Sequence, residues 1–278
     1  MLMEERFQNH PVEVSRMNTE ELRKAFTINN LMQIGKIQLV YSHYDRMIIG
    51  GVVPAQEEIL LQNYTQLKSD YFLQRREMGI INIGGEGYVR ADGIDYSLNK
   101  LDCLYLGMET KEVSFKSNND KQPANFYLLS ANAHHIYENK LMKNTDAVTE
   151  DLGNKITSNQ RTIYKYIHEN GIKSCQLVMG LTILKEGNVW NTMPAHTHNR
   201  RMEVYLYFDL DENQRVFHFM GKPQQTRHLI MASNEAVISA PWSIHSGCGT
   251  SAYSFIWGMA GENQSFADMD FIEIKNLK

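Results

Sequence analysis

Hydrophobic and polar residues alternate with a period of two through most of this chain, which predicts a succession of short strands. Ile37, Leu39 and Tyr41 alternate with polar neighbours. An apolar run from Met47 is broken at Gly50-Gly51 and ended by Pro54, and Gly79 to Ile83 runs into Gly84-Gly85. Tyr88 to Ala91 followed by Asp92-Gly93 reads as a strand entering a hairpin turn. Further strands are expected at 101–106, 113–115 and 125–129, then at 176–184, 204–208, 215–220, 228–231, 236–239 and 252–257. Helical signals are few. Asn18 before Thr19-Glu20-Glu21 is an N-cap with an acid at the third helical position, and Leu22, Ala25 and Phe26 give a short stripe, so a helix is expected near 19–29. A second helical pattern covers 55–68.

Many short strands at this spacing point to an all-β fold of sandwiches or barrels. Residues 130–160 are polar and lack a period. The expected division is an amino-terminal extension over 1–35, a first barrel over 36–140, a connection over 141–165 and a second barrel over 166–278. Gln74-Arg75-Arg76-Glu77 and Asn199-Arg200-Arg201-Met202-Glu203 each lead into an apolar strand, an echo that two related barrels would explain.

Composition narrows the function classes. A chain of 278 residues, 42% apolar and 22% charged, is globular and long enough for two cores. A net charge of −4 without a Lys/Arg-rich block argues against nucleic acid and anionic membrane as partners. No apolar run approaches the roughly 18–20 residues of a membrane span. The first residues lack a basic segment followed by an apolar one, so no secretory signal is expected. The three cysteines are far apart without a C-x-x-C, so a cytoplasmic location is expected.

The candidate chemistry is a metal site. His196 and His198 are two apart, so in a strand both imidazoles leave the same face. Asn199-Arg200 suits a turn that would return Glu203 to that face. His245, after Ala240-Pro241-Trp242-Ser243, could complete the set. Three imidazoles and one carboxylate suit a divalent cation with room left for water or substrate. The other histidines, His218 and the adjacent pair His134-His135 among them, lack such company and are read as ordinary. Strand alternation also places Arg201, Tyr205 and Tyr207 on the face of Glu203. Arg201 could grip a carboxylate and Tyr205 could relay a proton, against the plainer readings of an ion pair and core packing. Arg161 and Gln176 are further substrate candidates. Trp190, Trp242 and Trp257 are read as core.

H-x-H-x4-E followed by Pro241 and His245 resembles the paired motifs of cupins. More narrowly, Tyr41 to Arg46, Tyr71 to Glu77, Gly79 to Gly85, Trp190 to Pro194, Arg200 to Tyr205, Trp242 to Gly247 and Phe255 to Met259 are similar to the 5-keto-4-deoxyuronate isomerase family. The resemblance implies a bicupin: two jelly-roll β-barrels with a short amino-terminal helix and a few more helices. It implies one Zn²⁺ per subunit held by His196, His198, Glu203 and His245, and a homohexamer; Glu203 is also a catalytic candidate, although ligation makes it a poor first choice as the base. The implied activity is an aldose–ketose isomerisation of 5-dehydro-4-deoxy-D-glucuronate to 3-deoxy-D-glycero-2,5-hexodiulosonate in pectin degradation. The alternatives are a 5-deoxyglucuronate isomerase of inositol breakdown, a metal-dependent cupin dioxygenase, and a non-catalytic storage or sugar-binding bicupin. The first barrel retains Glu77 but has Phe72-Leu73-Gln74 where the second has its histidines, so it is expected to carry no metal.

Overall fold

Asn18 caps the helix Thr19–Phe26: its Oδ1 accepts from the Glu21 N–H at 3.0 Å, and its own N–H donates to Glu21 Oε2 at 2.8 Å. The helix stops before the expected position 29 because Thr27 and Ile28, both β-branched, enter a strand beside Ala236–Ser239. This is a computed structural model, and it describes residues 2–265 and 267–278; Met1, at the start of the expected extension, lies outside them. The helix expected over 55–68 does not form. That stretch holds a strand, Ile59–Leu60, and a 3₁₀ turn, Thr65–Leu67. Asn63 hydrogen-bonds the Tyr64 N–H and the Ser69 carbonyl, a local alternative to helical bonding, and Lys68 closes the turn at φ 48°.

Two compact units emerge, with different bounds from those expected. The amino-terminal unit takes the segment up to Arg6, then Asn30–Val148 and Tyr166–Val178. The carboxy-terminal unit takes Phe7–Asn29, Thr149–Lys165 and Met179–Lys278. Residues 1–35 are therefore no separate extension, since Glu4–Arg6 pairs in parallel with Ile37–Ser42 while Thr27–Ile28 joins the other unit. Residues 141–165 are no bare connection either, because Lys140–Met142, Val148–Leu152 and the start of Arg161–Ile167 are strands. Long-range strand pairing assigns these segments, and it leaves no local mark in the sequence.

Among the described residues, each unit has a seven-stranded and a four-stranded sheet. The central four strands of the first large sheet run Ile48–Val52, Phe126–Asn132, Arg76–Asn82, Cys103–Leu106. Those of the second run Val178–Leu184, Ser254–Gly261, Arg201–Phe208, Ala236–Ser239. The order relative to the chain is the same in both, so the units are topological repeats, as the echo suggested. The hairpin at Asp92-Gly93 also forms, with both residues at positive φ (47° and 82°) as a two-residue turn requires.

The echo misaligns one residue. Arg76 and Arg201 each open the central strand. From Arg201, Glu203 is two residues on and shares its face; from Arg76, Glu77 is one residue on and faces the other way. Met78 and Ile80, not Glu77, enter the first apolar core with Val89, Phe115 and Phe126. Glu77 is nevertheless fully buried. Its carboxylate accepts from the backbone N–H groups of Cys175 (2.6 Å), Gln176 (2.7 Å) and Leu177 (2.7 Å) and from the Tyr105 hydroxyl (2.8 Å).

Candidate metal centre

His196 lies in the short strand His196–Thr197, paired with Asp270–Phe271. The chain then turns at Asn199-Arg200, with the Arg201 N–H donating to the His198 carbonyl at 3.3 Å, and the strand Arg201–Phe208 begins. That turn brings Glu203 onto the face of the histidines. His245 arrives just before the strand Ser246–Gly249 of the smaller sheet. One ligand atom from each of His196, His198, Glu203 and His245 lies within 4.8 Å of the others, and all four residues are buried.

The closest contacts are at hydrogen-bond length. Glu203 Oε2 is 3.0 Å from His198 Nε2 and 2.8 Å from His245 Nε2, which is 2.9 Å from His196 Nε2. His198 Nδ1 faces the Arg201 carbonyl at 3.0 Å; a carbonyl only accepts, so Nδ1 carries a proton and Nε2 is the nitrogen turned into the centre. Burial raises the Glu203 carboxyl, but the charge of His245 and hydrogen bonds from His198 and His245 outweigh it and hold the group ionised, below its ordinary range. Burial, then the neighbouring His245, pushes His196 down to about 2, so it stays neutral. The centre thus gathers three ring nitrogens around a buried anion, and two of them face each other across 2.9 Å. A divalent cation would compensate the carboxylate and take the place of the protons that these close contacts otherwise need. The donor set fits a metal ion of borderline hardness.

A cavity of about 180 Å³ opens beside the centre, in the carboxy-terminal unit. It is large enough to take a small organic acid. His196 and Glu203 form one wall, Arg161, Arg201 and Tyr205 line it, and Trp257 and Phe271 add apolar surface. Trp257, read as core, thus reaches the cavity, its Nε1–H donating to Thr182 Oγ1 at 3.2 Å. Gly180 leaves space for it, since a Cβ there would stand 2.3 Å from the indole. Trp190 stacks on Phe219 and does not line the cavity.

The two arginines differ in freedom. Arg201 is 1% exposed, and its Nη1 and Nη2 are spent on the Asn263 side chain and the Ser265 and Asp268 carbonyls, which leaves only its buried Nε without a partner among the described residues. Arg161 gives one bond, Nη1 to the Asn159 carbonyl at 2.9 Å, and its other donors have no partner among the described residues. Tyr205 hydrogen-bonds Thr192 Oγ1 at 3.2 Å; burial first, then the Glu203 charge, keeps its phenol protonated. Gln176 is not brought into this cavity, because it lies in the other unit with its N–H on Glu77. His218, read as ordinary, is fully buried with Nδ1 2.8 Å from the Tyr207 hydroxyl, and burial pushes it down to about 3. The sequence did carry a signal for it, since Val216, His218 and Met220 alternate inward along the strand Val216–Lys222.

The model of the KduI/IolB family matches residues 28–274. This chain belongs to that family. It is 54% identical over 276 residues to the 4-deoxy-L-threo-5-hexosulose-uronate ketol-isomerase of Halalkalibacterium halodurans, covering 99% of this chain and 100% of that one. Among solved structures, an IolB-like protein from Salmonella typhimurium LT2 superposes with a TM-score of 0.71 at 14% identity, covering 89% of this chain and 96% of the other. The Mn(II)-containing oxalate decarboxylase of Bacillus subtilis superposes at 0.56 and 10% identity, covering 88% and 77%. These likenesses establish the family's fold here as the bicupin, all-β and built of two barrels.

Proposed function

We propose that this chain is a zinc-dependent 4-deoxy-L-threo-5-hexosulose-uronate ketol-isomerase acting in the cytoplasm in pectin and polyuronate breakdown, and that it assembles as a homohexamer. The observation that carries the reading is the buried cluster of three imidazoles and one carboxylate at the wall of a cavity sized for a small acid. Full-length identity of 54% to a named ketol-isomerase favours this substrate over the 5-deoxyglucuronate of the inositol pathway. The likeness to oxalate decarboxylase is one of fold, and it does not support oxygen chemistry. Among the described residues, no helix is long and apolar enough to cross a membrane.

The reaction moves a carbonyl from C1 to C2 of an open-chain uronate. A proton leaves C2, a proton arrives at C1, and an enediolate with charge on oxygen lies between. The electrons balance within the substrate, so a redox-inert ion suffices. His196, His198, Glu203 and His245 would hold a zinc ion, which would supply Lewis acidity to the reaction. Glu203 directs Oε2 at the imidazoles, while its Oε1 has no partner among the described residues. Oε1 is therefore the atom assigned to take the C2 proton. Tyr205, protonated and on the same face, donates toward an oxygen of the enediolate and does not serve as the base. Arg161 pairs with the substrate carboxylate through its uncommitted donors, and Arg201 ties Asn263, Ser265 and Asp268 to the strand that carries Glu203.

The test uses protein purified without added metal. We expect about one zinc per chain, turnover of the deoxy-keto-uronate, loss of turnover on chelation with recovery on zinc addition, and a solution mass of six chains. Stoichiometric iron or manganese with oxygen consumption would overturn the reading. Replacing Arg161 with alanine should raise KM by about 10- to 100-fold, the value of a charge-assisted carboxylate contact of about 1.5–3 kcal/mol, with a smaller change in kcat. An unchanged KM would move the carboxylate contact elsewhere.

A further inference from the structure

The amino-terminal unit contains a second polar cavity, of about 370 Å³, at the opening residue of its central strand. Three guanidinium groups line it, those of Arg46, Arg75 and Arg76, together with Gln66, Ser69 and Asn132, and no carboxylate lines it among the described residues. We infer that this cavity is a binding site for a small organic anion, a phosphate ester or a hydroxylated carboxylate, distinct from the metal centre.

Arg76 is the fixed element. It is 5% exposed and gives four hydrogen bonds, to Ser130 Oγ, the Ser130 carbonyl, Asn132 Oδ1 and the Arg46 carbonyl, at 2.6–3.1 Å. Every acceptor is neutral, so the guanidinium is oriented and its charge is not cancelled by any of them. Glu77, the next residue, faces away, and its carboxylate is filled by four donors. Arg75 is exposed and pinned by one nitrogen, Nη2, to the Leu67 and Lys68 carbonyls; Nε and Nη1 have no partner among the described residues. Arg46 is exposed too, and its guanidinium has no partner among the described residues. Glu5, an acid at the margin, is held by His43 at 2.9 Å and Gln66 at 2.7 Å and does not line the cavity.

Three like charges around one concavity repel one another, and an anion removes that cost while accepting forked hydrogen bonds. Ser69 and Asn132 offer groups suited to hydroxyls beside the anionic head, while the Gln66 amide is held by Met3 and Glu5. Arg76 occupies the place in its strand that Arg201 occupies beside the catalytic cavity, so the repeat keeps a buried arginine at this position in both units.

The experiment reads the arginines themselves. The intact metal-loaded protein is treated with phenylglyoxal in the presence of inorganic phosphate, and separately of D-glucuronate, and modification is mapped by mass spectrometry. Saturable protection of Arg46 and Arg75, at least about fivefold beyond that of the exposed Arg16, is expected from one anion or both. Protection by phosphate alone assigns phosphate esters, and by glucuronate alone sugar acids; both outcomes support the site. No protection from either anion, or protection equal to that of Arg16, overturns it. Arg46→Ala removes a side chain that holds nothing else in place, and it should weaken the protection of Arg75 by about tenfold or more. Undiminished protection of Arg75 in that variant also overturns the proposal.

Discussion

Replacing His245 with alanine is expected to lower kcat/KM by about three orders of magnitude or more and to leave little metal bound. His245 Nε2 touches both His196 Nε2 and Glu203 Oε2, so it is the ring that ties the other ligands together. Without it, two imidazoles and a carboxylate remain. Transition-state stabilisation by a Lewis acid amounts to several kcal/mol, and each 1.4 kcal/mol is about a factor of ten in rate. The fold should persist. The neighbouring strand Ser246–Gly249 is paired through its backbone with Trp190–Asn191 and Val216–Lys222 and does not depend on the imidazole. Metal analysis, a turnover assay and circular dichroism on the one variant separate the outcomes. Full metal content with full turnover in a folded variant would remove His245 from the centre.

What the sequence could show depended on whether the cause was local. His196 and His198 share a face by strand parity, and Asn199-Arg200 could be read as the turn that restores Glu203 to it; both steps span fewer than ten residues. The cap at Asn18 and the Asp92-Gly93 hairpin are local in the same way. The contrast between Arg161 and Arg201 was hidden, because Arg201 is occupied by acceptors 62 to 67 residues away. The boundaries of the units were hidden for the same reason, since pairing across the chain decides which sheet a segment joins. His218 is a different case. Phe217 and Phe219 point the large apolar groups outward and His218 inward, the reverse of the usual pattern, so the strand looked ordinary by composition while its alternation was informative. Gln176 also looked suitable by type, yet it is the backbone of 175–177 that is used, as a row of donors for Glu77.

That row supports a large effect on stability. Glu77→Ala should destabilise the amino-terminal unit by about 3–5 kcal/mol, because the buried Leu177 N–H, the partly buried Cys175 and Gln176 N–H groups and the Tyr105 hydroxyl lose their acceptor together, and each orphaned group costs about 1–3 kcal/mol before water relieves some of it. At about 2–4 °C per kcal/mol for a domain of this size, a fall in Tm of about 10 °C is expected. Glu77→Gln keeps one acceptor oxygen and should fall between the wild type and the alanine variant. Metal content per folded chain should hold in both variants, because Glu77 and its donors lie wholly within the amino-terminal unit and the ligands wholly within the other. Loss of zinc from folded Glu77→Gln protein would show that the carboxylate serves the metal centre after all. A Tm unchanged in Glu77→Ala would mean that water satisfies the three N–H groups as well as the carboxylate does, which the full burial of the Glu77 side chain and of Leu177 argues against.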